Sequence, residues 1–132
     1  METAVMRKLT RQYLAAMGIE QVDEADGVFS ALTLLRGSRY DALIVEWGDS
    51  GREIVRAVKA NPFLQDTAVI VITSDIGDDT LIRIAESGAR EVVSRAFLPA
   101  QLPLKIMALF PSGKREERDL KIAMIITEED GR

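Results

Sequence analysis

The stretch "KIAMIITEED" occupies residues 121–130 and runs from a lysine through five apolar residues to a threonine and three carboxylates. Five apolar residues without alternation are too few for a helix and fit a strand buried on both faces of a parallel sheet. Such a strand delivers its acids to the carboxyl end of the sheet and usually opens a fold; here it follows every other element. Whether the preceding sequence leaves a place for it decides the fold.

Upstream, helices and strands alternate. "METAVMRKLTRQYLAAMG" (1–18) has Met6, Leu9, Tyr13 and Met17 at helical spacing, with Thr3 to cap the start and Gly18 to end it. "IEQVDEA" (19–25) is a polar strand suited to a sheet edge. "DGVFSALTLLRG" (26–37) is a helix with Asp26 as N-cap and Val28, Leu32 and Leu35 facing inward. "YDALIVEW" (40–47) is an apolar strand ending in a carboxylate. In "SGREIVRAVKANP" (50–62), Ser50 and Glu53 have capping-box spacing, so a helix begins there and ends before Pro62.

"AVIVITSD" (68–75) opens with five consecutive apolar residues, mostly β-branched, and is the clearest strand. "DDTLIRIAESG" (78–88) is a helix closed by Gly88, "REVVSRAF" (90–97) a strand, and "LPAQLPLKIMALF" (98–110) a last helix that Pro103 should delay or kink. Alternation with short loops predicts an α/β fold, a parallel sheet with helices on both faces. The expected organisation is a body over 1–110, a polar linker over 111–118, and a strand over 119–132 that completes the same domain.

Composition narrows the chemistry. Apolar residues make up 47% of the 132, enough for one core, and no apolar run approaches a membrane span. No signal-peptide pattern opens the chain, so the expected location is cytoplasmic, with no membrane partner. The formal charge is −4, from 17 basic and 21 acidic residues that are well mixed, which argues against nucleic acid as the main partner. There is no cysteine and no histidine, which removes disulfides, thiolate catalysis and the commonest general base.

The order of pieces resembles the receiver domain of two-component response regulators. "YDALIVEW", "RAVKANPFLQDTAVIVITSD", "ESGAREVVSRAF" and the helix ending "LAAMG" carry the likeness, over roughly residues 5–110. It implies a flavodoxin-like, five-stranded parallel sheet of order 2-1-3-4-5. The first strand of that order, which carries a pair of acids, does not precede the helix at 3–17. Its absence would leave a slot roughly 10 Å wide between "IEQVDEA" and "DALIVE". "KIAMIITEED" resembles the missing strand. Three arrangements follow: a circular permutation with the strand inserted in its own chain, a swap into a neighbouring copy, or an unpaired tail or start of a further domain.

The resemblance also implies a site. Receivers take a phosphoryl group on an aspartate at the end of the third strand, with a divalent cation held by that residue and the first-strand acids. Glu46 stands at the acceptor position, one methylene too long for in-line transfer, and Asp49 is the alternative acceptor. Glu46, Glu128 and Glu129 would be the ligands of Mg²⁺, with Ile126 or Thr127 possible occupants of one acidic position; terminal glutamates are otherwise simply solvated. Thr73 matches the hydroxyl residue after the fourth strand, or is a plain strand-end threonine. Arg95–Ala96 replaces the lysine–proline pair, and Val92 stands where the aromatic switch would be.

With these positions altered, the expected function is a non-enzymatic pseudo-receiver that acts through protein–protein contact without phosphorylation. The alternative is a working receiver that binds Mg²⁺ and accepts phosphate from a histidine kinase. The expected contact face for another signalling protein, or for a homodimer, is residues 78–110, with Arg83, Glu86, Arg95 and Gln101 as candidates.

Overall fold

The computed structural model describes residues 3–111 and 119–126. Ten elements follow in the order α1 (Thr3–Ala16), β1 (Gln21–Ala25), α2 (Val28–Gly37), β2 (Ala42–Glu46), α3 (Asp49–Ala60), β3 (Ala68–Thr73), α4 (Asp78–Glu86), β4 (Glu91–Ser94), α5 (Leu98–Leu109) and β5 (Lys121–Ile125). The strands form one parallel sheet of order β1-β5-β2-β3-β4.

β5 lies between β1 and β2, in the slot the sequence leaves open. Ile122 pairs with Val22 on one side and Ala42 on the other, and Met124 pairs with Glu24 and Ile44. The flavodoxin-like order is therefore complete, with an interior strand drawn from residues 121–125 of the same chain. Asp41 anchors the start of β5: its carboxylate accepts from Lys121 N at 2.8 Å, and its own N–H donates to Lys121 O at 2.8 Å.

Alternation along the strands divides the core in two. Ile44, Ile70, Ile72, Ile122 and Met124 face α1 and α5, while Leu43, Val45, Val69, Val71, Ala123 and Ile125 face α2, α3 and α4. All eleven are buried, which is why neither β2, β3 nor β5 shows a polar alternation. The edge strands β1 and β4 keep polar side chains along their length; Glu24 of β1 accepts from Arg11 of α1 at 2.5 and 2.9 Å. On the opposite face of β1, Asp23 accepts from the hydroxyl of the buried Tyr40 at 2.7 Å. Burial and that carboxylate push the phenol well above its ordinary range.

Four expectations from the sequence are corrected. The buried stripe of α1 is Thr3, Met6, Thr10 and Leu14, with Tyr13 and Met17 only partly covered. Thr10 enters the core because its hydroxyl donates to Met6 O at 2.7 Å, which removes the cost of burying it. Asp26 does not cap α2: Gly27 holds the N-cap position, and Asp26 instead accepts from the Ser30 hydroxyl at 3.0 Å. Ser50 and Glu53 form no capping box, because α3 begins at Asp49 behind Gly48 and Ser50 is already inside the helix. Pro103 does not delay α5, which starts at Leu98. One backbone bond is forgone at Pro103, but the burial of Leu98, Leu102 and Ile106 outweighs it.

Candidate functional site

Parallel strands of an open sheet present their carboxyl ends together, and that is where such folds place their chemistry. Here the row of strand ends includes Ile126 after β5, Glu46 on β2, Thr73 on β3, Ser94 on β4 and Arg95 just after it. Trp47 continues β2 by one residue, its N–H donating to Ile72 O at 2.8 Å.

Glu46 is half-buried and bound to Arg95, whose Nη1 lies 2.6 Å from Oε2. The side chains are 12% and 20% exposed, so the attraction is screened far less than in a surface pair. Two positions that the sequence marks separately, Glu46 at the end of β2 and the basic residue after the edge strand β4, thus meet across β3. Register explains the reach: β3 separates the two strands by two spacings, roughly 10 Å, which a glutamate and an arginine together can bridge. An aspartate or a shorter cation would close that gap less readily.

The other predicted residues are placed as follows. Thr73 is buried, and its hydroxyl both accepts from Asp75 N and donates to Asp75 O at 3.1 Å, so it shapes the β3–α4 loop. Asp49 is exposed at the start of α3 and bound to Arg52 of the same helix, rather than brought onto Glu46. Glu128 and Glu129 lie outside the described residues, as does Thr127. Ile126 stands beside the end of β2, fully buried in the apolar core, and only its carbonyl is used, accepting from Arg7 at 3.2 Å. Gln101, expected on a contact face, is turned inward instead and accepts from Ser94 N at 2.8 Å.

A divalent cation needs several hard oxygens converging on one point. Among the described residues no group of three or more carboxylates could hold a metal, and Glu46 is already bound to a guanidinium. Of the three ligands that the receiver resemblance implies, Glu46 alone lies among the described residues.

Sequence reasoning missed Asp75. Its carboxylate accepts from the Thr80 hydroxyl at 2.6 Å and from Gly77 N at 2.9 Å, tying the β3–α4 loop to the first turn of α4. The spacing Asp75–Gly77–Thr80 was legible as an Asx turn running into a helix start. The Thr80 bond, then the Gly77 N–H and the Arg83 charge, hold the Asp75 carboxyl below its ordinary 3.8. A depressed folded pKa stabilises the loop at pH above the unfolded value, and that contribution is lost as pH falls through the folded value. Thr80→Ala is expected to move the Asp75 titration midpoint, followed by carboxyl NMR shifts, up toward 3.8. A midpoint that does not move would assign the shift to other groups.

No helix among the described residues is long and apolar enough to cross a membrane. The family model for the response regulator receiver domain matches residues 2–107. Chemotaxis protein CheY of Pseudomonas aeruginosa is 29% identical over 110 residues, covering 81% of this chain and 89% of that protein. Chemotaxis protein CheY-3 of Vibrio cholerae is 24% identical over 110 residues, covering 81% and 85%. The solution structure of a response regulator protein from Burkholderia multivorans superposes with a TM-score of 0.66 at 24% identity, over 87% of this chain and 94% of that one. Fold, strand order and this match over most of the chain agree: the protein belongs to the response regulator receiver domain family, with one interior strand of its sheet taken from beyond α5.

Proposed function

We propose that this receiver is a non-enzymatic signal-transduction module that works through protein–protein contact without a phosphorylation cycle. The observation that carries the reading is the Glu46–Arg95 pair at 2.6 Å. Glutamate at the acceptor position places its carboxylate over 1 Å from where an aspartate would hold it, and a misplacement of about 1 Å costs about 100-fold in a positioned transfer. The guanidinium then occupies the side from which a phosphoryl group would need a free oxygen, and its charge opposes a nearby divalent cation. An ion-paired glutamate gives the strand ends one charge state where a phosphorylated aspartate alternates between two.

The contact face we assign is α4, β4 and α5, within residues 78–110. Ile82, Phe97, Leu104 and Met107 are all more than half exposed there, an apolar area suited to another signalling protein or a second copy. Of the four candidates named from sequence, Arg83 and Glu86 remain on the surface, while Arg95 and Gln101 are committed to Glu46 and Ser94. A cytoplasmic setting goes with this reading.

Incubation with Mg²⁺ and acetyl phosphate, read by intact mass, is expected to leave the chain unmodified. A stable species about 80 Da heavier, the mass of one phosphoryl group, mapped to Glu46 or Asp49, would establish the alternative of a working, phosphate-accepting receiver.

A further inference from the structure

Arg52, Arg56 and Lys59 recur at spacings of four and three along α3 and share one face of it. Like charges so placed repel, and only Arg52 has an acidic answer, Asp49; Arg56 and Lys59 form no ion pair among the described residues. Arg83, in the last turn of α4, faces them across an open cavity of about 420 Å³. Trp47 closes the cavity at the end of β2, and among the described residues Glu86 is the one carboxylate in its lining. Four cations are thus gathered in one groove of a chain whose formal net charge is −4.

Two features hold the groove in shape. Trp47 is half-buried, packed against the core beneath α2, α3 and α4, so its indole is fixed in position. The stem of Lys59 lies across Gly88, close enough that a Cβ added there would stand 2.9 Å from Lys59 Cε. The volume is within the range of about 300–1,000 Å³ typical of small-molecule sites.

We propose that this groove binds a nucleotide, with the phosphates on Arg56, Lys59 and Arg83 and the base against the Trp47 indole. Guanidinium groups match phosphate oxygens in pairs, and aromatic side chains stack on bases whatever their identity. A ringless anion leaves the indole unused, and an uncharged ring leaves the cations unneutralised. The ligand would lie one residue from Glu46, giving the strand ends a chemical input that stands whether or not Glu46 accepts phosphate.

Trp47 is the one tryptophan of the chain, so its fluorescence reads the site directly. Titration of the full chain with ATP in the absence of Mg²⁺ is expected to give a saturable change that weakens with added salt. Arg56→Glu is expected to lower the affinity about tenfold or more; Arg56 is exposed, and an unchanged thermal midpoint would show that the variant is folded. Adenosine and pyrophosphate, tested separately, should each bind more weakly than ATP. No saturable change at millimolar ATP, or equal affinity in a folded Arg56→Glu variant, would overturn the site. Pyrophosphate binding as tightly as ATP would overturn the nucleotide assignment.

Discussion

Removal of residues 119–132 is expected to leave a chain that does not fold. β5 is the one strand with partners on both sides that comes from beyond α5, and its loss separates β1 from β2 by an empty strand width. Leu120, Ile122, Met124, Ile125 and Ile126 are all essentially inaccessible to solvent. At about 1.5–3 kcal/mol each they contribute roughly 7–15 kcal/mol by burial, an upper estimate because an unfolded chain already covers part of its apolar surface. A domain of this size has in total about 5–15 kcal/mol of stability. The facing backbone groups of β1 and β2 would lose their partners as well, each at about 1–3 kcal/mol if left buried. Burial alone therefore decides the sign, and the backbone term leaves no route back.

The measurement is solubility and a thermal melt of the truncated chain beside the full one. A soluble truncated monomer with a cooperative transition would sink the assignment of β5 as a required interior strand of the sheet. Met124→Asp tests the same point at full length. Its carboxylate would sit between Glu24 and Ile44 in the middle of the sheet, where an unpaired charge is not tolerated. Both changes should abolish the transition, and loss in only one would separate chain length from core packing.

What the sequence disclosed follows from the kind of physics each element obeys. The buried strands were legible because being covered on both faces forces an unbroken apolar run, and "ALIVE", "AVIVIT" and "KIAMI" have no other reading at that length. The place of β5 was legible only through strand order, since nothing in its residues names its neighbours. Helix starts were less legible. Asp26 and Ser50 carry cap chemistry, yet Gly27 and Gly48 take the cap positions through extended backbone, which leaves no side-chain signature. The Glu46–Arg95 pair was hidden for a different reason: the two residues are 49 positions apart, and their meeting depends on register across three strands. The cationic face of α3 went unread although Arg52, Arg56 and Lys59 stand at helical spacing; that α4 supplies a fourth cation opposite it depends on the tertiary fold.

Gly51→Ala is expected to destabilise the protein despite improving helix propensity, and the balance of two magnitudes decides it. Replacing glycine by alanine inside a helix gains about 1 kcal/mol where nothing obstructs the new methyl group. At Gly51 a Cβ would stand 2.0 Å from the carbonyl oxygen of Glu46 and 3.1 Å from its carbonyl carbon. Both are backbone atoms of a central strand, so neither can rotate aside. Overpacking against a fixed neighbour costs about 1–3 kcal/mol and sometimes more, and this overlap lies at the severe end because α3 must lift away from β2. The net loss is expected at roughly 2 kcal/mol or above, a fall of roughly 5–10 °C in melting temperature. Gly37→Ala supplies the control: also in a helix, with nothing within 4 Å of the added Cβ, it should raise stability or leave it unchanged. Because the displaced atoms belong to Glu46, the Gly51 variant should also loosen its contact with Arg95, visible as a changed Arg95 side-chain NMR signal. A Gly51→Ala protein as stable as the parent would show that α3 does not pack on the end of β2 as closely as these distances require.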